Sequence, residues 1–539
     1  MFTFTKAKKA MAAALATGML ASFVTGCGGG GDKKADDKKA ASGQAEKFKF
    51  GVTNFADSLE PTDNYFGWVV MRYGLGECLF KFDEKMVVQP WVADKWSVSE
   101  DKLTWTIHIR DNVTFSNGKK CDAEAVKKSI ERVFAKSKRA GTFFAYTKME
   151  AKGQDLMITT KEPMPNLNGA LSDPLWLIVD VTSDKAAGGD RDFSKQGPIC
   201  TGPYKVKSFV KEKAVMESND TYWGGKPPYK VVEIPSIDDP NTRAMALQSG
   251  EIDAAVNIAA GDMTLFRGKD KFRVSELASL RTVITRLNQR EGRILNDKRV
   301  REALVSSLDR ETYNKVLLKG TFIAGKAPVP PSLDYGFDQL KDPNAYNVER
   351  AKKLLAEAGW KDTNGDGILD KDGKPLQLTI VTYNSRAELP LYSEAIQADA
   401  KKVGIDIKIN TVDYNLVDRM GINGEFDLMI SNNITAPTGD PEIYLNWYWR
   451  TNVDGNNPQN GTGYSNPAYD ELMAKLAVEF DKGKRREMMI KAQQIILDDC
   501  ASIFMGYPQT NMVSSSKIAN ADIKPADYYW LTPEIKPAK

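Results

Sequence analysis

Histidine is almost missing from this chain: His108 is the one imidazole in 539 residues. A Cys/His zinc site, a paired-histidine metal centre and a Ser-His-Asp relay all need imidazole in the company of other ligands or a nucleophile, and His108 has no such neighbours in sequence. No G-x-S-x-G stretch offers a nucleophile elbow. Cysteine is scarce as well, five in all, with no CxxC spacing. After residue 26 no uninterrupted apolar run approaches the roughly 18 residues that mark a membrane-crossing helix. An excess of charge is also lacking. The formal net charge is +3, and Lys6, Lys8 and Lys9 account for all of it. A balanced chain has no global field suited to a polyanion, which argues against a nucleic-acid partner. These absences argue against an enzyme and imply no cofactor.

What is present begins with a removable address. The three lysines precede Ala10–Val24, an apolar stretch of 15 residues, short for a bilayer span but suited to a signal-peptide core. It ends in Val24-Thr25-Gly26-Cys27, which resembles the lipobox of bacterial lipoproteins, with Cys27 as the lipidated residue. The following GGGGDKKADDKKAASGQAEK has no apolar period and reads as a solvated tether. The remainder is too long for one core and suits two or three domains. Cys78, Cys121, Cys200 and Cys500 allow three disulfide pairings, and buried free thiols fit equally well.

Periodicity then organises the chain. Thr104–Arg110 alternates, with Trp105, Ile107 and Ile109 on one face, as a half-buried strand does. Asn117-Gly118 marks a tight turn. Asp122 is placed to cap a helix whose apolar face is Val126, Ile130, Val133 and Phe134. Asn347 can cap a helix that stops at Gly359. Leu391–Val403 reads as a helix closed by Gly404, followed by an alternating strand over 405–409. Helices near 467–480 and 484–498 precede a tail expected to be rich in strands. Strands alternating with helices in two long stretches predict an α/β protein with more than one lobe.

Read in order, Ala93-Asp94-Lys95-Trp96-Ser97, TWTIHIRDNVTFSNG (104–118) and Asp122-Ala123-Glu124 resemble the extracellular solute-binding proteins of the peptide/nickel class, family 5. Gly202-Pro203-Tyr204, Tyr222-Trp223-Gly224-Gly225-Lys226-Pro227, Gly250-Glu251-Ile252-Asp253 and Val300-Arg301-Glu302-Ala303-Leu304 extend the match. The resemblance implies a two-lobed periplasmic-binding-protein fold with an extra subdomain and a ligand cleft between the lobes. The layout it implies is a signal peptide over 1–26 and a tether over 27–46. Lobe I takes 47–88, 197–286 and 499–539, with 89–196 inserted in it, and lobe II takes 287–498. It implies a monomeric, lipid-anchored receptor in the cell envelope. Such a receptor hands a short peptide or metal chelate to an ABC permease and ATPase. A sensory receptor of the same fold is the alternative.

Candidate site residues follow from the same resemblance. Peptide-binding members carry an aspartate about three residues before the Asp440-Pro441 step. Pro437 stands there, between Ala436 and Thr438, so a buried peptide ammonium would lack that partner. Nickel-chelate binders show a similar Ala-Pro form, and Arg139 falls where they place a carboxylate-binding arginine. A solvated basic run with Lys136 and Lys138 is the competing reading of Arg139. The histidine those binders carry is replaced by Val453, and their second arginine, expected near Asp173, is absent. No metal ligand is therefore assigned to the protein. Arg386, in a strand-to-helix loop, is a cleft candidate, with Tyr65, Phe66, Asn432, Asn433 and Thr438 as weaker ones. Trp447, Tyr448 and Trp449 are read as packing. Asp362–Gly367 looks like the start of a calcium loop, but position twelve is Gly373 instead of glutamate, so a hairpin of Asx turns is expected.

Overall fold

The structure is a computed structural model that describes residues 44–53 and 57–539. The signal, tether and lipidation readings, Cys27 included, lie outside the described residues. Among the described residues twelve strands join one mixed sheet. Its first half is built on the parallel pair Ala45–Gly51 and Tyr229–Pro235, extended by Lys213–Ser218 and Tyr204–Val210. Its second half holds the parallel pair Gln377–Thr382 and Asp406–Thr411, with Leu428–Ile434 beside it.

Two segments carry the chain between these halves. Phe272–Ala278 pairs in the first half and, after Ser279-Leu280, Arg281–Leu287 pairs with Leu428–Ile434 in the second. The long strand Ser502–Ser515 makes the return crossing. Its start pairs with Arg281–Leu287 and its end with Phe272–Ala278 and Ala254–Val256. The crossing falls near Gly506, where a Cβ would collide with the Tyr392 hydroxyl and the Asn314 amide oxygen. Pro508 follows, removing a donor where the ladder changes partner.

Each half buries its own apolar side chains. Phe48, Phe50, Tyr204 and Tyr229 fill the first, and Leu287, Leu304, Ile380, Ile396 and Ile503 the second. A third core belongs to an insertion, the antiparallel sheet Ala93–Val98, Thr104–Ile109, Asp155–Thr160 and Tyr146–Lys152. The alternation in 104–109 is realised there: Trp105, Ile107 and Ile109 are buried. Helix Ala123–Lys136 lies on that sheet, and Asp122 caps it by accepting the Ala125 amide at 3.0 Å. Arg132 of this helix ties the insertion to Glu60, with Nη1 and Nη2 at 2.9 and 2.6 Å from its oxygens, and to Asp184 at 2.8 Å. Burial opposes the charge on Glu60, but the hydrogen bonds from Arg132 and Thr62 outweigh it and hold the carboxyl at about 2.

The helices read from periodicity appear as Val348–Glu357, Glu388–Lys401, Pro467–Leu476 and Lys482–Asp498. The tail expected to be rich in strands is so in its first part, Ser502–Ser515. Beyond Ser515 it forms only the two-residue pair Ile518-Ala519 with Lys536-Pro537, and otherwise runs as irregular chain. Pro525 and Pro533 remove ladder donors there, while Tyr528, Trp530 and Leu531 still bury into the first half.

Candidate functional site

Aromatic side chains, guanidiniums and unpaired polar groups gather where the halves meet. Helix Phe66–Arg72 presents Trp68, whose ring centre lies 5.9 Å from Tyr65 and 4.9 Å from Tyr528 of the tail. Arg281, the first residue after the Ser279-Leu280 crossing, places its guanidinium 5.5 Å from the same indole. Arg386 stands just before helix Glu388–Lys401 in the second half. Asn432 on the neighbouring strand donates to Glu388 Oε1 at 2.7 Å, and Asn433 accepts from the Tyr448 hydroxyl at 3.0 Å.

The electrostatics of this zone are uneven. Arg72 donates to the Asp527 carboxylate and main-chain oxygen, both at 2.8 Å. Burial pushes Arg281 below the usual guanidinium range, and the like charge of Arg386 adds to that. Arg72, Arg281 and Arg386 thus act on one carboxylate, Asp527, which they hold below the usual range against its burial. Arg286 enters from the opposite face of the Arg281 strand, lying 5.6 Å from the Phe426 ring and 5.4 Å from Tyr448. Its Nε is buried without a partner, and burial lowers it too. Trp68 Nε1, Tyr528 Oη, Asn432 Oδ1 and Asp173 Oδ2 are likewise buried and unpaired. Buried polar atoms in native interiors are usually hydrogen-bonded, so these atoms mark the zone as the candidate ligand site.

The sequence candidates fall as follows. Arg139 donates to the Asn64 carbonyl at 2.9 Å, and its guanidinium stacks 4.1 Å from the centre of Tyr65. It therefore lies at the edge of the aromatic cluster, whereas Lys136 of the same basic run pairs with Glu60 at 3.3 Å. Phe66 packs half-buried against the first core. Thr438 is buried, and its carbonyl accepts the Asn166 amide at 3.0 Å, bringing the insertion onto the second half. Beside that bond a cavity of ≈160 Å³ is lined by Phe143, Asn166, Thr438, Glu442 and Asn446. Arg485 anchors the Asp440-Pro441 corner through Asp440 at 2.7 Å and Glu442 at 2.6 Å. Of the three aromatics read as packing, Trp449 is buried, whereas Tyr448 reaches Asn433 and Arg286 at the cleft.

Sequence reading passed over Trp68, Asp173, Arg281, Arg286 and Tyr528. The two arginines carried a usable signal, since they stand on opposite faces of RTVITRL, where charge must be compensated. His108 donates to or accepts from Asp155 at 2.6 Å inside the inserted sheet. The 362–367 loop spends its oxygens on its own amides, Asp362 accepting from Gly365 and Gly367, as Asx turns do. The cysteines Cys78, Cys121, Cys200 and Cys500 are buried free thiols.

Comparison with known proteins matches this architecture. The oligopeptide-binding protein AppA of Bacillus subtilis is 28% identical over 523 residues, covering 92% of each chain. The nickel-binding protein NikA of Staphylococcus aureus is 26% identical over 464 residues, covering 86% of this chain and 89% of its own. The structure of the AppA protein in complex with a nonapeptide superposes with a TM-score of 0.77 at 26% identity, over 92% of this chain and 99% of that one. The two-lobed α/β fold expected from the sequence is thus the one observed. The pattern of the bacterial extracellular solute-binding proteins, family 5 (middle region), matches residues 87–456, and the chain belongs to that family.

Proposed function

We propose that this protein is the external receptor of an ABC importer, anchored by lipid at Cys27. It takes a small solute between its halves by hinge closure and delivers it to the permease and ATPase. The observation that carries the reading is the group of unpaired buried polar atoms and guanidiniums around Trp68, set beside the two chain crossings. Arg139, Arg386, Tyr65, Phe66, Asn432, Asn433 and Thr438 are proposed to contact the solute or the wall around it. Relatives whose names say that they bind oligopeptides or nickel make a short peptide and a metal chelate the two solute classes to test. A metal would arrive already chelated, because His108 is engaged by Asp155 in the insertion.

Mass spectrometry of the protein purified from its native membrane should find one class of small solute released on denaturation. Arg139→Ala and Arg386→Ala should each weaken binding of that solute by about tenfold, the loss of one charge-assisted bond. Solution scattering should show a smaller radius of gyration on solute addition. Wild-type affinity in both variants, with unchanged scattering, would sink the reading.

A further inference from the structure

Asp173 carries the observation that the receptor reading leaves unexplained. Its Oδ1 caps the short helix Pro174–Trp176 by accepting the Leu175 amide at 2.9 Å. Its Oδ2 is buried and has no partner, and the residue is 0% exposed. Arg139 acts on this carboxylate through space, but its guanidinium donates to Asn64 and stacks on Tyr65. The field of Asp173 reaches Tyr65 and Tyr528. Both rings adjoin Trp68, and Trp68 Nε1 and Tyr528 Oη are also unpaired. The next residue, Pro174, packs its carbonyl against Gly67, the residue before Trp68, and an unpaired carboxylate oxygen near aromatic rings is chemistry that receives an alkylammonium group.

Across the Trp68 ring the charge reverses. Arg281 lies 5.5 Å from the indole centre, and it donates a long hydrogen bond, 3.5 Å, to the Asn432 carbonyl. Arg72 engages Asp527 at 2.8 Å, and among the described residues Arg281 and Arg386 form no ion pair with a carboxylate. Desolvated like charges repel, and an anionic group set between them relieves that repulsion.

We propose that the solute is dipolar, with its ammonium group on Asp173 Oδ2 among Tyr65, Trp68 and Tyr528, and its carboxylate on Arg281 and Arg386. The proposal rests on the cleft being a solute site and narrows the class within it. Short peptides and other free amino-carboxylates have both poles, whereas an amine bound to a metal has no ammonium to offer.

The test uses full-length protein freed of solute by guanidinium and refolded. It is offered an enzymatic casein digest, the same digest N-acetylated, the same digest amidated at its carboxyl groups, and the 2:1 complex of L-histidine with Ni(II). Wild type should retain peptides from the untreated digest and about tenfold less from either modified one. Asp173→Asn keeps the cap and removes the charge, so it should retain free and acetylated peptides within about twofold of each other, as a mere folding defect would not. Arg281→Gln should abolish the distinction between carboxylate and amide. The proposal is overturned if wild type takes acetylated peptides equally, or if Asp173→Asn keeps the wild-type ratio. Retention of the nickel complex without any peptide also overturns it while leaving the cleft a solute site. Retention of no probe at all would remove the receptor reading itself.

Discussion

Replacing Asp173 by asparagine should stabilise the solute-free protein, and the gain should depend on pH. Burial raises the Asp173 carboxyl from 3.8 to about 6, although Arg139 and the Leu175 amide pull the other way. A group held about two units above its ordinary value costs roughly 3 kcal/mol when it is ionised, at 1.36 kcal/mol per unit. The folded state binds this proton more tightly than the unfolded chain, so the cost is fully present above pH 6. It declines as pH falls through 6 and is gone below the unfolded value near 4. Asparagine keeps the cap to Leu175 and does not titrate. The advantage of the variant should therefore be about 3 kcal/mol at pH 8 and vanish near pH 4. With an unfolding entropy of about 1 kcal/mol/K for a chain this long, that is a Tm rise of roughly 3 °C. Calorimetry of solute-free wild type and variant at the two pH values measures it. A Tm difference independent of pH, or a lower Tm for the variant at pH 8, would refute the reasoning. Saturating solute should reverse the order, because the charge that destabilises the empty protein is then paired.

Three further outcomes follow from named contacts. Arg485→Ala leaves the partly buried Asp440 and Glu442 side by side without their shared cation, so denaturant unfolding should show a loss of about 3 kcal/mol. His108→Gln removes a hydrogen bond confined to the inserted sheet, and isothermal titration should find solute affinity and choice unchanged; a large loss would move imidazole back into the site. Cys27→Ala should release the protein from the membrane fraction or block its processing, because the anchor gains about 0.8 kcal/mol per buried CH₂; a correctly cleaved variant that stays membrane-bound would exclude lipidation there.

The scaffold was legible because its signals are local. Asp122 and Asn347 cap the helices they were expected to cap, and Trp105, Ile107 and Ile109 bury together as the alternation required. The cleft was less legible because its residues are brought together across more than 450 positions, from Tyr65 to Tyr528. Nothing within a dozen residues of Trp68 shows that Tyr528 lies against it. The tail illustrates the same limit from the other side: Tyr528, Trp530 and Leu531 bury without a ladder, and the prolines around them withhold ladder donors.

The position of the guanidiniums links recognition to movement on the proposed reading. Arg281 sits at the first chain crossing, Arg72 ends a helix of the first half, and Arg386 begins a helix of the second. Three cations brought towards one carboxylate, Asp527, resist the approach of the bodies that carry them. A solute carboxylate between Arg281 and Arg386 removes that resistance and adds charge-assisted bonds on both sides of the crossing. Its ammonium group meanwhile satisfies Asp173 of the insertion. Each pole then contributes more in the closed arrangement than in the open one, which is the differential affinity that a ligand needs to shift a conformational equilibrium. A solute lacking one pole leaves either a buried carboxylate or a pair of guanidiniums unneutralised, and closure around it costs correspondingly more. Selectivity and closure would thus arise from the same few charges.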